Sequence, residues 1–129
     1  MEMKKVYEQI DKDGRRFVVI HHTLSEIITD IRIDFSNWYC GYMQILPTDK
    51  EYKTVKDADS EIDLWEQSPT LGDHAIGGIT YVGPLPTEPT SSEVYIGFDT
   101  NHFNTQGTTL VQAVKATLDM REDLEKNDD

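Results

Sequence analysis

A chain of 129 residues with 12 Lys+Arg against 24 Asp+Glu, net charge −12, is one domain's worth of sequence with room for a single modest core. The acid excess disfavours binding to DNA, RNA or anionic lipid, and it permits a cationic protein partner. No apolar run approaches the ~18 residues that span a bilayer, and the opening Met1-Glu2-Met3-Lys4-Lys5 leads into polar sequence, so no membrane association is expected.

In chain order, Lys5 to Ile10 and Arg16 to His21 are β-prone and flank Asp11-Lys12-Asp13-Gly14, whose Asp-Gly is a strong hairpin signal. The unbroken apolar run Phe17-Val18-Val19-Ile20 predicts a strand covered on both faces. From Leu24 to Phe35 two patterns compete: Ser25-Glu26 could begin a short helix, but Ile31-Arg32-Ile33-Asp34-Phe35 alternates with period two, which favours a strand from about Thr29 to Phe35, a turn at Ser36-Asn37, and a partner strand from Trp38 to Leu46. Residues 50–72 form a polar excursion with a short helix or lid-like loop anchored by Val55, Ile62, Leu64 and Trp65. Ile79-Thr80-Tyr81-Val82 reads as a strand, and Pro84, Pro86 and Pro89 mark a loop that cannot pair centrally. Val94 to Phe98 is the next strand. Leu110, Val111, Val114, Leu118 and Leu124 recur at helical spacing, with Thr105, Thr108 or Thr109 available as N-cap, so their stripe is expected to lie on the sheet. Asn127-Asp128-Asp129 should fray. Together these elements predict one α+β domain over residues 1–129: a mainly antiparallel twisted sheet of about five or six strands with one C-terminal amphipathic helix packed on a face.

Charge is unevenly placed. From Asp57 to Val114 there is no Lys or Arg, while nine acids occur there, at Asp57, Asp59, Glu61, Asp63, Glu66, Asp73, Glu88, Glu93 and Asp99. Phosphate is gripped by Arg, Lys or a helix N-terminus, and this segment offers only the last. Such a face either solvates the protein or meets a basic groove on a partner. The start of a calcium loop at Asp57 fails, because its sixth position is Ile62 and its twelfth Ser68.

Among the histidines, His21 and His22 would point to opposite faces of a strand, one buried and one exposed. Asp73-His74 and Asp99-x-x-His102 offer two carboxylates and two imidazoles, a divalent-metal or acid/base group if the fold joins them; otherwise Asp99 and Asn101 make turn hydrogen bonds with His102 at the surface. Cys40, the sole cysteine, excludes an internal disulfide and reads as a small buried hydrophobe. Gly77-Gly78 precedes a strand, the wrong context for a phosphate loop, and no catalytic nucleophile motif occurs.

Trp38-Tyr39-Cys40-Gly41-Tyr42-Met43, Gly77-Gly78-Ile79-Thr80-Tyr81 and Ile96-Gly97-Phe98-Asp99-Thr100-Asn101-His102, followed by the closing helix, carry a resemblance from about Trp38 to Leu124. The chain resembles a group of small bacteriophage-encoded proteins whose signature is a Cys-Gly-Tyr strand, a His-Gly-Gly-(Ile/Leu)-Thr-(Tyr/Phe) segment and a Gly-Phe-Asp-x-x-His segment. It departs from them at Ile76, where they carry His, and at Phe103-Asn104-Thr105, where an acid often follows. The resemblance implies an accessory or counter-defence role in the host cytoplasm, of which anti-CRISPR proteins are the best-known class.

These observations lead to an expected inhibitor, not an enzyme and without cofactor. It would bind a basic nucleic-acid-handling host protein through Asp57, Asp59, Glu61, Asp63, Glu66 and Asp73, and would not contact nucleic acid itself. The alternative is a protein that sequesters a small ligand or nucleotide signal, with Trp38, Tyr42, Tyr81 and Tyr95 stacking a ring. A metal-dependent hydrolase using Asp73, His74, Asp99 and His102 comes third. A homodimer would help so small a domain bury surface.

Overall fold

The pleat decides this molecule: consecutive apolar residues in a strand face opposite sides, so the run Phe17 to Ile20 needs a cover on each side. The computed structural model describes residues 2–58, 61–68, 70–101 and 107–124. Its strands are β1 (Glu2–Ile10), β2 (Arg16–Ile28), β3 (Ile31–Ile45), β4 (Tyr81–Gly83) and β5 (Val94–Asp99). Its helices are α1 (Tyr52–Asp57), α2 (Glu61–Gln67) and α3 (Leu110–Asp119), the last followed by a 3₁₀ turn at Met120–Asp123. The sheet has the order β1-β2-β3-β5-β4 with every neighbouring pair antiparallel. This is an α+β fold with the C-terminal helix packed on the sheet, as expected. No helix among the described residues is long and apolar enough to cross a membrane. The expected fraying of Asn127-Asp128-Asp129 lies outside the described residues.

The first hairpin closes as the Asp-Gly signal predicts. Gly14 has φ +85°, and the Asp11 carboxylate accepts from the backbone N–H groups of Asp13 and Arg15. Arg15 is buried and holds Asp49 through two parallel bonds, Nη1 to Oδ2 at 2.6 Å and Nη2 to Oδ1 at 2.9 Å, which tie this turn to the segment after β3. The second hairpin differs from its prediction. Ser36-Asn37 is not a turn: β3 runs through it, and the chain reverses at Thr29-Asp30, both at positive φ (52° and 65°), so that Ile28 pairs with Ile31. A two-residue loop must adopt that left-handed geometry to match the strand twist, and Thr-Asp carries none of the usual Asn-Gly signal for it. The ribbon past Thr23 leaves Leu24, Ile27 and Ile31 exposed.

The two faces carry separate cores. On one, Phe17, Met43, Ile45, Ile96 and Phe98 are covered by Val55 of α1, Leu64 of α2, Met120 and Leu124. On the other, Val18, Ile20, Cys40, Tyr42 and Tyr95 pack with Leu85 from the proline-rich loop. Strand β4 is shorter than predicted, because Gly77 and Gly78 turn the chain with φ of +75° and +86° and pairing with β5 begins only at Thr80, whose N–H donates to the Gly97 carbonyl.

Helix α3 starts at a capping box made by Thr109 and Gln112. Its buried positions are Ala113 and Thr117, not the larger stripe residues; Val111 is 76% exposed, and Leu110, Val114 and Leu118 flank a shallow groove with Tyr7. The reason is close approach. A Cβ on Gly41 would sit 2.5 Å from the Phe98 ring and would also strike Thr117, so the helix comes down onto a bare glycine with its smallest side chains. Thr117 satisfies its hydroxyl by donating to the Ala113 carbonyl. Gly41→Ala is expected to cost about 1–3 kcal/mol through this overpacking, read as a lower urea midpoint at unchanged slope.

Candidate functional site

Residues of one pleat face share a side, so Trp38, Cys40 and Tyr42 of β3 line up with His22 and Ile20 of β2 and with Asp99 of β5. The proline-rich loop covers the half of this face around Tyr95 with Leu85. The other half is an open cavity of about 430 Å³ whose lining includes His22, Trp38, Cys40, Tyr42, Tyr81 and Asp99, together with Met3 and Pro86. All three motif segments singled out in the sequence meet there.

Its geometry is built from ring contacts. His22 and Trp38, paired across the strands, stack with centroids 5.6 Å apart and planes at 10°. Tyr42 and Tyr81 meet edge to face at 5.5 Å and 89°. Tyr42 lies across Gly97, where an added Cβ would come within 2.6 Å of its ring. The Tyr81 hydroxyl donates to the Pro84 carbonyl, fixing the pocket wall to the loop. Asp99 accepts from the Asn101 backbone N–H at 2.8 Å, the turn bond expected of it.

The electrostatics keep most of these groups neutral. Burial holds the His22 imidazole below its ordinary value, against the pull of Asp99. The sign follows: His22 costs nothing above the ordinary imidazole pKa and destabilises the fold as pH falls toward its lowered value, because the unfolded chain takes the proton first. His22 is 7% exposed, and its Nε2 has no hydrogen-bond partner among the described residues. Burial pushes the Cys40 thiol up to about 12, with Asp99 adding to the effect, so Cys40 is a wall and not a nucleophile. Burial likewise raises Tyr42.

The remaining sequence candidates disperse. Tyr95 is fully buried in the cluster with Tyr42 and Leu85, does not line the cavity, and donates to Glu93 at 2.8 Å, so it presents no face to a ligand there. His74 belongs to a different site: its Nδ1 lies 2.5 Å from Asp123 and its Nε2 3.4 Å from Glu122, next to the exposed Asp73. The hydrogen bond with Asp123 holds His74 above its ordinary value, so this contact is complete in mild acid and fades as pH rises through the raised pKa. Asp99 has His22 and Cys40 as its electrostatic neighbours. His102 and Asp59 lie outside the described residues, as does the side chain of Glu61. No group of three or more metal-ligating side chains occurs among the described residues.

The Lys/Arg-free segment is likewise divided by the fold. Glu88 and Glu93 converge with Glu8 on Arg16 of β2, which holds them at 2.7–3.2 Å. Asp57, Asp63 and Glu66 lie on α1 and α2, with Asp63 accepting from Gln67 and Asp57 adjoining Lys56. Sequence reasoning missed Met3 and His22 as pocket residues. The period-two rule marked one of the two adjacent histidines as inward, but which strand it would face depends on the Thr29-Asp30 turn.

Comparison with protein families, with curated proteins and with solved structures finds no match to this chain. Cys40 is expected to resist a thiol reagent at neutral pH in the folded protein and to react fully in denaturant; rapid labelling of the native state would contradict its burial.

Proposed function

We propose that this protein binds and sequesters a small molecule in the aromatic pocket, without transforming it. The observation that carries this reading is the convergence of Trp38, Tyr42 and Tyr81 on one cavity that also holds a His22 nitrogen without a hydrogen-bond partner among the described residues. Ligand sites are mostly apolar clefts with a few converging polar groups, and this one has that make-up. The side chain that would be the natural nucleophile, Cys40, is held as a thiol. In a phage protein, as the motif resemblance implies, removal of a host small molecule is a form of counter-defence in the host cytoplasm. Native mass spectrometry of the purified protein should reveal a retained small molecule. Trp38→Ala and Tyr81→Ala should each release it while the far-ultraviolet circular dichroism stays unchanged. A wild-type protein that retains nothing from a host extract would count against the proposal.

A second reading, the inhibitor of a basic host protein, draws support from Trp65. This indole is 65% exposed on α2 between Asp63 and the exposed Glu66, an aromatic anchor in acidic surroundings. Replacing Asp57, Asp63 and Glu66 together with Lys should slow association with such a partner and remove its salt dependence, leaving ligand retention untouched. Unchanged association kinetics would exclude this surface.

A further inference from the structure

Resting on the pocket reading, we infer that the ligand is an organic cation: an alkyl- or arylmethyl-ammonium whose charge lies against Trp38 and Tyr81 and whose N–H is donated to His22 Nε2. Four features of the pocket point the same way. The rings of Trp38, Tyr42 and Tyr81 present π-systems, whose negative faces attract cations within about 6 Å. The Asp99 carboxylate lines the same cavity. None of the described residues lining it is Lys or Arg, so among them an anionic or phosphate-bearing molecule finds no counter-charge and meets Asp99 instead. His22 is more than nine-tenths buried and its Nε2 lacks a hydrogen-bond partner among the described residues; in the tautomer with the ring proton on Nδ1 this nitrogen is an acceptor, and an unmet buried polar atom is costly.

The surrounding field acts in the same direction. The chain carries −12, which attracts cations and repels nucleotides before contact. Neutral ring compounds would gain the stacking area but no attraction to the Asp99 carboxylate, and a quaternary cation would gain the rings and that attraction but could not donate to His22. A protonated amine uses all three.

Three probes of matched size, benzylamine, benzyl alcohol and benzoate, together with the larger adenosine monophosphate, separate the possibilities when titrated into the full chain at neutral pH by NMR, with the Trp38 indole and His22 ring signals observed. Benzylamine is expected to shift both signals and to bind at least tenfold more tightly than benzyl alcohol, with benzoate and adenosine monophosphate weaker still. Asp99→Asn should reduce the benzylamine preference at least fivefold. The wild-type contrast among probes keeps the test valid even if that variant folds poorly. Equal binding of benzyl alcohol, or tighter binding of either anion, overturns the cation assignment and leaves the pocket reading intact. Failure of every probe to move the Trp38 signal overturns both.

Discussion

Two glycines at the centre of the sheet each lie beneath an aromatic ring from the adjacent strand, and the rest of the structure depends on that exchange. Gly41 of β3 is paired with Phe98 of β5, and Tyr42 of β3 with Gly97 of β5. On one face Phe98 and Thr117 of α3 occupy the space that a Gly41 side chain would need; on the other Tyr42 occupies that of Gly97. A glycine in a strand weakens it through lost packing and extra chain entropy, and a ring laid across it restores both buried area and rigidity. The two exchanges sit on opposite faces, so they fix the β3–β5 register from both sides. A slip by one residue would place ring against ring on the wrong face.

Each exchange positions a different part of the molecule. The Gly41 side lets α3 approach closely enough for Ala113 and Thr117 to be its buried residues, which leaves Leu110, Val111 and Val114 at the periphery. The Gly97 side lays the Tyr42 ring down and brings it against Tyr81, forming one wall of the pocket. The pocket is thus a consequence of how the sheet holds itself together. Its open half exists because the proline-rich loop, anchored by Leu85 and by the meeting of Glu88 and Glu93 with Arg16, covers the opposite half.

The charge distribution acquires a different meaning once folded. A stretch without Lys or Arg is not a single anionic surface, because Arg16, distant in the chain, neutralises part of it and Asp99 turns into the pocket. What remains acidic is α2, where Asp63 and Glu66 flank the exposed Trp65 in sequence, whereas α1 carries Lys53 and Lys56 against Asp57. Linear charge counts omit partners brought in from other strands, and here the long-range pairing of β2 with the loop after β4 is what matters.

Local chemistry was legible in the chain: the Asp-Gly hairpin, the two-faced burial of Phe17 to Ile20, the strand at Val94 to Phe98, the Thr109 cap and the inert character of Cys40 all follow from interactions within a few residues or from a period of two. Trp38, Tyr42 and Tyr81 could be named as candidate ring-stacking residues from type alone. Their union with His22 and Asp99 could not, nor could the separation of His74 from Asp99, the inward turning of Tyr95 or the choice of Ala113 and Thr117 as the buried face of α3. Those outcomes depend on cross-strand register and on which strands become neighbours. Register here was set by a Thr-Asp turn in left-handed conformation and by glycine–ring pairs more than fifty residues apart in sequence. Periodicity says which side of its own strand a residue occupies; only pairing between distant strands says what stands beside it.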